Sequence, residues 1–186
     1  MAVPRPETSY MTARIFVDTN VFVYAKQARE PIKQPLAAQW LERLWSEHTG
    51  CTSVQVLNEY YTTLTRKITP AVPPADAWDD VKNLITWNPQ VMDLELLHRG
   101  REVEQRYRLS WWDSLIVAGA QLQNCVLLLT EDLQDRSVYG GVTVRNPFTC
   151  SVSEDLTPYD VERVPVHSHP RRGRPRRQNT AAFTLG

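Results

Sequence analysis

No stretch of this 186-residue sequence is apolar for the roughly 18 residues a membrane-crossing helix needs. The N-terminus also lacks the charged-then-apolar order of a secretory signal, so a cytoplasmic location is the expectation. Cysteine is scarce. Cys51, Cys125 and Cys150 form neither a short-spaced pair nor an even set, which excludes a zinc-finger motif and a disulfide framework. Two of the three adjoin strand-like runs and read as small core residues in a reducing compartment. There is no internal repeat, and no net charge at pH 7. The neutrality conceals an asymmetry: residues 151–186 carry six arginines against four acids, and the rest fifteen bases against seventeen acids. A mildly acidic body does not advertise a nucleic-acid surface. An acidic site does reverse its own local field once a cation is bound.

What is present fits one folded unit with tails. Hydrophobic residues at 42% and charged residues at 23% are ordinary for a globular domain and exclude neither an enzyme nor a binding module. Residues 1–12 read as a polar N-terminal extension, with Met11 as the natural start. Residues 13–149 read as the domain, and 150–186 as a disordered tail rich in proline and arginine. Within the domain, strand-like runs alternate with helical patterns. Strands are expected at 14–18, 51–53, 91–93, 126–129 and 142–145, the last at an edge. Helices are expected near 21–27, 35–48, 54–67, from after the turn at 70–74 to about Thr86, and in two further stretches capped by Asp93 and Ser110. The third helix carries the stripe Leu57, Tyr60, Tyr61 and Leu64, and the fourth carries Trp78, Val81 and Ile85. The two capped helices carry Leu96, Gly100, Val103 and Tyr107, then Leu115, Gly119 and Leu122. Such alternation predicts an α/β fold: a mostly parallel central sheet sandwiched by helices, with ligands at the carboxyl ends of the strands.

Four acids fall at or near that edge. Asp18 ends the first strand in R-I-F-V-D-T-N, where it also reads as a turn residue. Glu59 lies inside a helix, on the side of Gln55, Val56 and Thr63, where it also reads as a solvated glutamate. Asp113 stands three residues after Ser110, as the acid of a capping box would. Asp132 follows the apolar run in L-L-L-T-E-D and has Glu131 and Asp135 as rivals in the same loop. Each has a purely structural reading, but their convergence needs a cation, since two unit charges ~4 Å apart repel by about 4 kcal/mol at an effective dielectric of ~20. An all-oxygen donor set without nearby histidine or cysteine selects Mg²⁺ or Mn²⁺ over zinc. Such an ion holds a scissile phosphate and lowers the pKa of a bound water.

Taken together, I-F-V-D-T-N at 15–20, T-S-V-Q-V-L-N-E at 52–59, W-D-S-L-I-V-A-G-A at 112–120 and L-L-T-E-D-L-Q-D at 128–135 resemble the PIN-domain nucleases. Within that family the likeness is to the VapC-type toxins of toxin–antitoxin pairs. The resemblance implies a Mg²⁺ or Mn²⁺ site of Asp18, Glu59, Asp113 and Asp132, supported by Asn20 and Thr130, with Asp135 kept as a further supporting residue. It also implies hydrolysis of RNA, transfer or ribosomal, to a 3′-hydroxyl and a 5′-phosphate, together with an antitoxin partner and a homodimer. Arg136 departs from the glycine that relatives often place after the final acid, and the tail lies outside the shared pattern.

Other features have competing readings. Arg171 opens and Arg177 closes a basic run whose core, Arg172-Gly173-Arg174-Pro175, is similar to an AT-hook; a generic salt-sensitive contact to DNA or RNA is the plainer reading. Trp111 and Trp112 read as core, or as residues that stack on bases or meet an antitoxin. His167 and His169 lack a third ligand. Two rival functions stand beside the nuclease. One is a phospho-acceptor domain using Asp18, weakened by Asn20 where a second acid is wanted. The other is a catalytically silent domain that binds RNA or a protein partner.

Overall fold

Ile15, Phe16 and Val17 are consecutive apolar residues, the pattern of a strand covered on both faces. In the computed structural model, which describes residues 13–150, they form β1 (Ile15–Val17), fully buried. The chain continues through α1 (Thr19–Lys26), α2 (Lys33–Glu47), β2 (Gly50–Cys51), α3 (Val54–Arg66), α4 (Pro74–Ile85), α5 (Leu94–Tyr107), α6 (Trp111–Leu122), β3 (Leu127–Leu129), β4 (Val138–Tyr139) and β5 (Val142–Arg145). The sheet order is β2-β1-β3-β5-β4. β1 pairs in parallel with β2 and β3, and β3 with β5; only β4 is antiparallel, to β5. Ile15 faces Leu127 and Val17 faces Leu129, so the parallel strands finish on one edge of the sheet. Asp18 and Thr130 are the next residues on that edge.

The helices begin where their caps require. Ser53 accepts from the Val56 amide, Asp93 from the Leu96 amide and Ser110 from the Asp113 amide. These bonds satisfy amides that have no partner within a helix. α3 buries Val56, Leu57, Tyr60 and Leu64. α5 and α6 pack closely because Gly100 has no Cβ; one placed there would stand 2.7 Å from Leu115 Cδ2. α6 meets the sheet through Gly119, whose missing Cβ would lie 3.3 Å from the Phe16 ring. On the other side Phe22 of α1 lies 5.8 Å from both Tyr60 and Trp87, and Trp87 lies 4.9 Å from Trp45. No helix among the described residues is long and apolar enough to cross a membrane.

Several sequence expectations need correction. Residues 91–93 form no strand; Gln90 makes one isolated parallel bridge to Ser53, and its amide and carbonyl are used there. β5 is not the edge, because the two-residue β4 folds back on it through Gly140 and Gly141, both at positive φ. On α4 the buried face is Ala77, Val81 and Leu84, leaving Trp78 and Ile85 about half exposed. Trp78 instead meets the partly buried Tyr61 edge-on. Cys51 and Cys125, the two cysteines that adjoin strands, are buried as read, and Cys150 is buried as well. The N-terminal extension, the Met11 start, the tail from 151, the basic run and the two tail histidines lie outside the described residues.

Candidate active site

Asp18 occupies the turn from β1 into α1, and the geometry of that turn buries its carboxylate. Its own amide donates to Leu129 O at 3.0 Å, extending the β1–β3 ladder by one residue. Its side chain then caps α1, Oδ1 accepting from the Thr19 amide at 2.7 Å. Oδ2 accepts from Thr130 Oγ1 at 2.7 Å and, more weakly, from Asn20 Nδ2 at 3.4 Å. Burial pushes the carboxyl up to about 7. The Thr130 and Thr19 hydrogen bonds oppose the rise, while Asp132 and then Glu59 add to it as neighbouring negative charges.

Asn20 joins three of these groups. Its Nδ2 lies 3.1 Å from Thr130 Oγ1 and 3.2 Å from Asp132 Oδ2, besides its contact with Asp18. Thr130 Oγ1 also accepts from the Asp132 amide at 3.1 Å. Glu59 reaches the same region from α3, with each oxygen held by a neighbour: Oε2 by Thr19 Oγ1 at 3.2 Å, Oε1 by Gln55 Nε2 at 3.0 Å. Asp113 stands in the first turn of α6, its Oδ2 accepting from Ser110 Oγ at 2.7 Å while its amide donates back to that hydroxyl.

The three acids of the 131–135 loop have different partners. Asp132 is bonded to Asn20 and Thr130, beside Asp18. Glu131 pairs with Lys33 at 2.6 Å. Asp135 accepts from the Asn146 amide at 2.8 Å and faces Arg145 at 3.5 Å and Arg136 at 3.7 Å, which ties the loop to the end of β5. Trp111 is partly buried against the core, whereas Trp112 is 60% exposed.

Whether this arrangement suits a cation is a matter of donor chemistry. The side chains gathered about Asp18 offer carboxylate, hydroxyl and amide oxygens, the hard donors that Mg²⁺ and Mn²⁺ prefer. Asn20 Oδ1 is buried and has no hydrogen-bond partner, so an electropositive neighbour is wanted there. Among the described residues no group of three acidic, histidine or cysteine side chains is gathered tightly enough to cage an ion. Sequence reasoning named Gln55 only as a neighbour of Glu59 and overlooked Thr19. The four-residue spacing of Gln55 and Glu59 on one helix is the signal that identifies the first.

One acid thus stands at the carboxyl end of the first strand, another on the helix after the second, and others at a helix start and after the third strand. Residues 15–140 match the PIN domain, and the chain belongs to that family. Among solved structures it is similar to a toxin–antitoxin complex from Klebsiella pneumoniae, at 21% identity and a TM-score of 0.52, over 73% of this chain and 98% of that one. A second is VapC20 of Mycobacterium tuberculosis, a sarcin–ricin loop cleaving toxin, at 19% identity and a TM-score of 0.43, over 61% and 86% of the two chains. No curated protein matches the chain. At these identities the likeness is one of fold.

Proposed function

We propose that this chain is a Mg²⁺- or Mn²⁺-dependent endoribonuclease acting as the toxin of a toxin–antitoxin pair, with Asp18, Glu59, Asp113 and Asp132 as its acids. The observation that carries the reading is Asp18, a buried carboxylate at the end of β1 that Thr130, the Thr19 amide and Asn20 hold in place, with Asp132 bonded to the same Asn20. A purely structural turn residue has no need of that company. With a divalent cation present, the repulsion among these groups becomes attraction.

The chain's own residues divide the work of orientation. Thr130 and the Thr19 amide fix the two oxygens of Asp18, Asn20 spans Asp18 and Asp132, Thr19 and Gln55 hold Glu59, and Ser110 holds Asp113. These donors to Asp18, Glu59 and Asp132 are neutral and direct the carboxylate lone pairs, so their negative charge is retained for a cation. A bound Mg²⁺ or Mn²⁺ supplies Lewis acidity, which activates a water and offsets charge on the phosphate and the leaving oxygen. No protein nucleophile is required.

RNA as substrate, transfer or ribosomal, is part of this proposal and is supported by membership of the family. The toxin role is supported by membership of that family and by the shared fold with a chain of a toxin–antitoxin complex. An antitoxin partner and a homodimer belong to the same proposal. The test is incubation of the purified protein with total RNA in Mg²⁺ or Mn²⁺, beside Asp18→Asn and Asp113→Asn. Cleavage is expected from the wild type alone and is expected to stop in chelator. Cleavage that persists in chelator, or equally in both variants, overturns the proposal.

A further inference from the structure

One cation lies beside the acids in a socket of its own. Lys33, the first residue of α2, donates from Nζ to Glu131 Oε2 at 2.6 Å and to Tyr24 Oη at 3.1 Å. Its ammonium lies 4.3 Å from the centre of the Tyr24 ring and 5.1 Å from that of Phe148, and these two rings meet edge-on at 5.1 Å. The ion pair is sheltered, with side-chain exposures of 31% for Lys33 and 22% for Glu131. Exposed ion pairs contribute little and are lax in geometry, but one enclosed by two rings, one of which also accepts a hydrogen bond through its hydroxyl, is held in place.

The position of Glu131 in the chain gives the socket its significance. The residue before it, Thr130, bonds Asp18 and the Asp132 amide; the residue after it, Asp132, bonds Asn20. A bond from Lys33 to Glu131 therefore pins the middle of a three-residue stretch whose two ends both meet the Asp18 cluster. Tyr24 belongs to α1, the helix that Asp18 caps, so the pin is anchored on the same element as the principal acid.

We propose that Lys33 is a positioning residue for the metal centre. Through Glu131 it fixes the 130–132 stretch so that Asp132 is the loop acid presented toward Asp18, and it withdraws Glu131 from that role. The inference rests on the reading of Asp18 as a metal ligand. Either partner left alone disturbs the centre: without Lys33 the loop loses its anchor, and without Glu131 an unneutralised ammonium stands beside the acids. Removing both eliminates the link once, not twice.

The test is Mn²⁺ binding to the full chain, without RNA, by calorimetric titration, with thermal unfolding followed in parallel. Lys33→Met and Glu131→Met are each expected to weaken binding about tenfold, the lower end of what loss of a group that orients metal ligands costs. The double variant is expected to bind no worse than the weaker single, a non-additivity that general loosening of the fold does not produce. Lys33→Arg, which keeps the cation, is expected to restore most of the affinity. Unchanged or tighter binding in Lys33→Met overturns the inference, as do losses that multiply in the double variant. If Lys33→Met does not fold, normal binding in a folded Glu131→Met overturns it as well. A wild type that binds Mn²⁺ no better than Asp18→Asn overturns instead the reading of Asp18 on which the inference rests.

Discussion

Replacing Asp18 by Asn is expected to stabilise the metal-free protein at neutral pH while abolishing its activity. The carboxyl is moved from 3.8 to about 7, chiefly by burial. Between those values the folded chain holds a proton that the unfolded chain releases. Folding stability contributed by this group therefore falls as pH rises through that window, and the full penalty is present above pH 7. Three units at about 1.36 kcal/mol each give an upper bound of about 4 kcal/mol. Asn keeps an oxygen for the Thr19 amide but presents an NH₂ where Thr130 and Asn20 now donate, which reduces the expected net gain to about 2 kcal/mol. For a domain of this size that corresponds to roughly 6–10 °C in Tm. The assay is thermal unfolding by circular dichroism in chelator at pH 4, 6 and 7.5. The variant is expected to melt below the wild type at pH 4, where the charge penalty is absent and only the poorer hydrogen bonding of Asn counts, and above it at pH 7.5. Saturating Mn²⁺ is expected to raise the wild type and leave the variant nearly unmoved, closing the gap. A variant no more stable than the wild type at pH 7.5, or a difference that does not vary with pH, refutes the reasoning.

Two further perturbations test parts of the structure on which the site depends. Thr130→Val keeps the shape of the side chain but removes the hydroxyl that lowers the Asp18 pKa, so that carboxyl is expected to rise further and the metal-free protein to lose about 1–2 kcal/mol at pH 7.5; a melting temperature unchanged at pH 7.5 contradicts the assigned bond. Gly50→Ala places a Cβ about 2.4 Å from the Trp87 ring, and overpacking of this kind is expected to cost roughly 1–3 kcal/mol, read as a lower urea midpoint at unchanged slope; an unchanged midpoint means that the ring yields freely.

The placement of the candidate acids was more legible in the sequence than the fold's margins. The caps Asp93 and Ser110 are local signals, governed by hydrogen bonding within one turn, and they appear in the structure as read. Of the α3 stripe, Leu57, Tyr60 and Leu64 are buried and Tyr61 only partly so, while Gln55 and Val56, placed with Glu59 away from the stripe, are buried as well. The face of α4 was misread because Trp78 and Ile85 are its most apolar residues, yet the space beneath the helix admits the smaller Ala77, Val81 and Leu84. β4 is two residues long and carries no period to detect. At the site, the ends of β1 and β3 could be inferred from apolar runs, which placed Asp18 and Asp132 on one edge. What sequence could not supply was the sorting of Glu131, Asp132 and Asp135, because that depends on Lys33, Asn20, Arg145 and the Asn146 amide, which are remote in the chain. The overlooked Thr19 is another such case: its hydroxyl meets Glu59 forty residues away.

The central claim is that these acids serve metal-assisted attack of water on an RNA phosphodiester. It is tested most directly by cleaving RNA with the purified protein in Mn²⁺ and ¹⁸O-labelled water and analysing the new ends by mass spectrometry. The account predicts a 3′-hydroxyl and a 5′-phosphate carrying one ¹⁸O, with no product in chelator or from Asp18→Asn. A 2′,3′-cyclic phosphate, or products formed equally without metal, would contradict it.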